Sequence, residues 1–377
     1  TGSNNTGLGY LALYANTTAS NNTAVGLSAL AANTTGGSNT SLGASALAAN
    51  TTGSSNVAVG VTTLDANTTG ADNVAMGNGA LGANTTADDN VAIGHEALTT
   101  NTTGIRNTAI SSFSLDANST GENNTAVGYA SLSANTTASN NTGLGYFALA
   151  ANTTGAFNVS LGAFTLDANT TASHNTGIGY NSLSANTTGT RNVALGSLAL
   201  DANTTANDNT AIGYEALGAN TTGDLNTAVG QGALTANTTG ASNDAFGGNS
   251  LDANTTGSFN VALGRSALSA NTTANSNTAV GHAALAANTT GANNTALGFA
   301  ALDAAILPSS NTSIGSASLS VNVHSSRNTA VGSNSLESHN LGSAGNGLNT
   351  AVGYNSGLAV TTGTNNTLIG GLAGDAL

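Results

Sequence analysis

One 17-residue unit, written out from Asn22 to Ser38, recurs through the whole chain. Its first Asn stands at residue 5 and returns every 17 residues to Asn328. After a four-residue insertion it resumes at Asn349 and Asn366, giving 22 copies. A period of this length is the mark of a solenoid, in which each unit buries its apolar side only against its neighbours. Such a chain offers an extended, repetitive surface rather than a catalytic pocket. Below, positions within the unit are counted from this Asn.

Position 4 is apolar in copy after copy (Leu8, Val25, Leu42, Val59, Met76, Ile93), and position 2 is Thr or Val except at Asp244. Position 5 is Gly in all copies but one, where Ser111 replaces it, and position 9 is Leu from Leu13 to Leu336. β-Branched and aliphatic residues at spacing two suit strands, and the Gly and Asn-Thr-Thr interruptions argue against helix. The pattern predicts two short strands per coil, at positions 1–5 and 8–14. Alternation then turns positions 2, 4, 9, 11 and 13 inward. Asp244 fits that orientation badly, because a buried carboxylate needs a partner. The expected fold is all-β: a β-solenoid of 22 coils about 4.8 Å apart, roughly 100 Å long.

That orientation leaves position 3 outside, with Ala24, Ser41, Ala58, Ala75 and Ala92 as the candidate subunit interface, since small side chains let another backbone approach. A core of Leu, Val and Ala is thin for an isolated chain, which also favours a homo-oligomer.

The same alternation turns Asn at position 12 and Thr at position 14 outward. Asn33, Thr35, Asn50, Thr52, Asn67, Thr69, Asn84, Thr86, Asn152 and Thr154 form the candidate surface ladder. The Asn column runs unbroken from Asn16 to Asn288. Three readings stay open: amides hydrogen-bonded from coil to coil that fix register, a chain–chain contact, and a flat array that binds ice or glycan. Asp65, Asp116, Asp167, Asp201, Asp252 and Asp303 at position 10 interrupt such an array. The triplet Asn-Thr-Thr is also a glycosylation sequon.

Composition narrows the function classes. There is no Cys, only four Lys and Arg together, and a formal net charge of −13. Nothing here forms an electrostatic footprint for nucleic acid, and no apolar run spans a membrane. No nucleophile–His–acid set or phosphate loop appears, so neither enzyme activity nor a cofactor is expected. Asp72, Asp88 and Asp89 are near one another, but the glycine-rich nonapeptide of calcium-binding solenoids is absent, and no metal is assigned. His95 and His282 share a column 11 coils apart. Tyr129 with Tyr146, and Phe147 with Phe164, occupy the same columns in adjacent coils, as an edge stack or as a ligand-facing platform.

The segment Asn-Thr-Ala-Val-Gly-x-x-Ala/Ser-Leu, as in Asn22 to Leu30 or Asn124 to Leu132, resembles the head repeats of trimeric autotransporter adhesins. It is also similar to units of phage tail-fibre-like proteins. The resemblance implies a left-handed parallel β-roll that trimerises, in an extracellular, cell-surface adhesin or fibre. The family unit is about three residues shorter, the extra residues here being the Ala-Asn-Thr-Thr-Gly half. The family's coiled-coil stalk and membrane anchor are absent from these residues.

The regular repeat covers 1–304. Irregular coils fill 305–377, with an insertion at 337–348 expected to loop out and Leu358 and Leu372 expected to compensate for Gly357 and Gly374. The chain starts in mid-coil, which suggests a piece of a longer polypeptide, with its ends covered by more chain or by end-to-end polymerisation. The expected function is an extracellular structural or adhesive rod. The alternatives are an ice- or glycan-binding solenoid and a subunit of a self-assembling filament; host surface, matrix, glycan or ice would be the partner.

Overall fold

The computed structural model describes residues 2–375, and among these the chain is a parallel β-solenoid of 17-residue coils without a helix. It divides into two compact units, the division falling at Thr190 and Arg191. The first holds eleven three-residue strands, from Thr6–Leu8 to Thr176–Ile178. Each pairs in parallel with the strand one coil on, in strict register: Thr6 with Thr23, Thr23 with Thr40, Thr40 with Val57. The second repeats the plan with eleven strands from Val193–Leu195 to Thr367–Ile369.

Each coil of the regular repeat has one strand, at positions 2–4, and not the two expected. The second expected strand, positions 8–14, does not form because single residues just before it and within it take left-handed φ values. Ser28 at position 7 has φ 54° and Leu30 at position 9 has φ 51°, and the same pair recurs along the chain. A strand cannot contain such residues. Backbone hydrogen bonding between coils nevertheless continues around the circuit. The N–H of Leu30 donates to Ala46 O at 3.0 Å, and that of Ala32 to Ala48 O at 3.1 Å. The N–H of Ser28 runs the other way, to Tyr10 O at 2.8 Å. These bonds offset the cost of left-handed non-glycine residues, about 1–3 kcal/mol each.

The inside of a coil is narrow. Positions 1, 3, 8, 9, 12 and 15 point into it, as Asn22, Ala24, Ala29, Leu30, Asn33 and Gly36 illustrate. The Leu at position 9 is the one large side chain per coil, fully buried from Leu30 onward. Position 3 is thus interior and positions 2 and 4 are exterior, the reverse of the orientation expected from apolarity. Asp244 at position 2 is exposed and needs no buried partner. A one-residue change of facing moves a strand's whole side-chain set, and the smallness of Ala at position 3 reflects the space available.

Glycine at position 5 is required twice over. Gly26 has φ 138°, and a Cβ there would meet the Gly43 carbonyl oxygen of the next coil at 2.5 Å. Ser111 is the exception, with φ 108°.

Past residue 304 the coil survives with altered contents. Position 12 passes from Asn288 to Ala305, Asn322, His339 and Val360, all buried. In the insertion, residues 342–346 are exposed, and Gly345–Asn346 pairs in parallel with Ser325–Ser326. Gly357 takes the Leu position, and the compensation comes from neither Leu358, which is half-buried, nor Leu372, which is exposed. A Cβ on Gly357 would instead meet Leu368 Cδ1 and Leu336 Cδ2 at 2.9 Å. The larger Leu368, standing where other coils have Ala, Ser or Gly, occupies the space given up at Gly357.

Candidate functional site

The Asn-Thr-Thr segment is a ladder, but its amides are inside. Asn33, Asn50, Asn67, Asn84 and Asn152 are fully buried, which corrects the outward placement of this column. Asn33 Nδ2 donates to Asn16 Oδ1 at 2.9 Å and to Gly36 O at 2.9 Å, and Asn50 repeats both bonds on Asn33 and Gly53. The position-1 Asn builds a second buried ladder. Asn39 N–H donates to Asn22 Oδ1 at 2.9 Å, and Asn39 Nδ2 to Gly53 O at 2.9 Å. The position-15 carbonyl therefore accepts from both columns, which closes the coil and satisfies amides that would be costly to bury alone. Invariance here meets an internal hydrogen-bonding demand, so Asn contributes nothing to an external array.

Thr at position 13 joins this system from the edge, Thr34 Oγ1 donating to Thr51 O at 3.0 Å. Thr35, Thr52, Thr69, Thr86 and Thr154 at position 14 are exposed, as expected. From Asn33 to Asn288 the Asn of the sequon is fully buried with its Nδ2 committed to the ladder, so it cannot carry a glycan in the folded chain; Asn16 is half-buried and, among the described residues, donates only to Ala19 O.

The candidate interface residues Ala24, Ser41, Ala58, Ala75 and Ala92 are likewise fully buried. This is the second correction: no partner can reach them. Ser41 Oγ donates to Ala46 O within its own coil at 2.8 Å. The outer face of each sheet is made instead by positions 2 and 4. Leu42, Met76, Leu161, Leu195 and Leu263 are 41–49% exposed there, flanked by Thr or Val. Folding within one chain leaves an aliphatic column at position 4 and a Thr/Val column at position 2 exposed or half-exposed, coil after coil. The sequence signal that could have located this face was Asp244, the one charge in column 2.

Beside that face, positions 6 and 7 carry an aromatic ridge in the first unit. His95 meets Phe113 edge-on at 5.3 Å, and Phe113 meets Tyr129 at 5.8 Å. Tyr129 stacks on Tyr146 at 5.6 Å, and Phe147 on Phe164 at 6.1 Å. The two columns also contact each other, Tyr146 against Phe147 at 4.6 Å, and Tyr180 closes the row against Phe164 at 6.3 Å.

The position-10 carboxylates lie near this ridge and in the equivalent place in other coils. Burial pushes the carboxyl groups of Asp65, Asp116, Asp167, Asp201, Asp252 and Asp303 above the usual Asp range, against the pull of neighbouring backbone amides. Elsewhere charges pair at the surface. Arg191 grips Asp208 with Nε–Oδ1 2.6 Å and Nη2–Oδ2 2.8 Å, holding the Asp208 carboxyl below its usual range. Asp88 accepts the Ala71 N–H at 2.7 Å. Among the described residues no three metal-ligating side chains converge. The chain matches no protein-family model and no curated protein sequence.

Proposed function

We propose that this chain is a non-catalytic structural segment of an extracellular, cell-surface adhesin or fibre, assembled from parallel copies through positions 2 and 4. The exposed aliphatic column at position 4 carries this reading. A monomer's largest apolar patch is about 300–600 Å², whereas this column renews itself with every coil. A partner that covers it must carry contacts at the same coil spacing along the same direction, and a second copy of this chain does so by construction. The resemblance to trimeric adhesin heads makes a homotrimer the expected state.

Light scattering on the purified chain tests the proposal. The parent is expected to be a trimer, and the five-site variant Leu42→Asp, Met76→Asp, Leu161→Asp, Leu195→Asp, Leu263→Asp a folded monomer, since Asp244 shows that the fold accepts a carboxylate on this face. A parent that stays monomeric at every concentration would sink it.

The exposed Thr column at position 14 favours a second reading, ice binding by Thr alone. Thermal hysteresis that disappears in Thr35→Lys, Thr52→Lys would support it. The Asn column is buried and plays no part in it.

A further inference from the structure

The aromatic ridge ends in a feature that a structural segment does not need. Two shallow hollows of about 370 and 380 Å³ adjoin across Phe164. One is walled by Phe147 and Phe164, the other by Phe164, Tyr180 and Asn181, and Asp167 lines both. From these residues we infer a binding site for a neutral glycan, with pyranose rings lying against Phe147, Phe164 and Tyr180 and a sugar hydroxyl donating to the Asp167 carboxylate.

Each part of the site has a matching property in that ligand. Aromatic faces carry negative quadrupole density and attract the polarised C–H bonds of a pyranose face, while excluding water from it. Phe147 and Phe164 lie within 4° of parallel and Phe164 and Tyr180 at 87°, so the ridge presents both ring faces and ring edges to one occupant. Asp167 supplies directionality. Its Oδ1 is buried without a hydrogen-bond partner, as in Asp116 and Asp252, so the carboxylate bears a desolvation cost without full compensation from the protein. The part of the carboxylate that lines the hollows is what a sugar hydroxyl would meet, and when ionised it only accepts. A few placed polar groups among apolar walls is the usual make-up of a small-molecule site.

Charge selects among glycans. None of the lining residues is cationic, Asp167 sits in the wall, and the whole chain is at −13. Sialylated and sulfated sugars are therefore repelled, and neutral ones are not. The equivalent carboxylates lack this pair of Phe walls: Asp65 follows Thr62, Asp252 follows Asn249, and Asp116, although it follows Phe113, has Glu96 in the place that Phe147 takes beside Asp167. The site also uses positions 6, 7, 10 and 11, so association through positions 2 and 4 leaves it open, and it does not depend on that association.

An array of neutral and anionic oligosaccharides, followed by saturation-transfer NMR on the neutral hits, tests this. The parent should bind neutral sugars, and Phe164→Ala should weaken binding about tenfold or more. Asp167→Leu should weaken it too, without lowering the melting temperature, because it removes a poorly compensated charge; a merely structural Asp would not separate the two readouts. Phe259→Ala, in the second unit, and the double variant Leu42→Asp, Met76→Asp should bind as the parent does, whatever their oligomeric state. Absence of neutral-sugar binding by the parent, binding only of anionic sugars, or unchanged binding in both site variants would each overturn the inference.

Discussion

Asn288 Oδ1 is buried without a hydrogen-bond partner because the residue one coil on, where the ladder supplies an amide, is Ala305. Asn271 Oδ1, one coil earlier, accepts Asn288 Nδ2 at 3.0 Å. The ladder has a direction, each amide donating backwards, so a gap orphans the acceptor just before it. Ala305→Asn should restore the donor and stabilise the chain by about 1 kcal/mol. Thermal unfolding checks it, and the gain should vanish in the Asn288→Ala background.

Within the intact ladder the same logic predicts a loss. Asn152 Nδ2 donates to Asn135 Oδ1 at 3.0 Å and Gly155 O at 2.9 Å, and its Oδ1 accepts Asn169 Nδ2 at 2.9 Å. Asn152→Ala should cost about 1–3 kcal/mol for each group left unsatisfied. Thr154→Ala, two residues on but exposed, should stay within about 0.5 kcal/mol of the parent. Denaturant titration of the two variants side by side would expose a ladder that carries no stability.

Ser111 holds φ 108° in the column where every other coil has glycine. Relief of that strain is worth about 1–3 kcal/mol, and glycine returns roughly 0.5–1 kcal/mol of it as unfolded-state entropy. Ser111→Gly should therefore raise stability by about 1 kcal/mol. A melting temperature lower than the parent's would contradict this.

His339 replaces Asn in the ladder and is fully buried. Its Nε2 lies 2.9 Å from Ser325 Oγ and 3.3 Å from Asn349 Nδ2, an amide donor that requires the neutral ring as acceptor. Burial holds the His339 pKa below the ordinary 6.5. The unfolded chain therefore takes up the proton first. Stability of the last coils is fully present above about pH 6.5 and is lost as pH falls through the folded value. Hydrogen exchange of residues 325–366 should be faster at about pH 5 than a comparison at about pH 8 predicts from chemistry alone. His339→Asn should abolish the difference.

Much of the architecture is legible in the residues. The period, the parallel stacking, the Gly turn at position 5 and the buried Leu at position 9 all follow from the repeat. The strand's facing does not, because apolarity points one way and size the other. Val25 and Leu42 are the more hydrophobic, yet Ala24 and Ser41 are the ones that fit the narrow interior. The left-handed Leu at position 9 is equally invisible, since Leu has no preference for φ > 0. At position 17, by contrast, Asn21, Asp72 and Asn123 advertise that conformation by type. The aromatic columns were legible as columns; the two hollows and the shared Asp167 depend on how position 10 turns toward position 7, which no spacing rule gives.

Because every regular coil offers the next the same amides, carbonyls and Leu, the coils of this chain are interchangeable parts. Excising residues 56–72 would join Ser55 to Asn73 and remake each ladder bond with the atoms of the following coil. Recombination between repeats can therefore lengthen or shorten the protein in whole coils without passing through an unfolded intermediate sequence. An event outside residues 124–191 leaves Asp167 and its aromatic neighbours intact, so length can drift while that one address is kept.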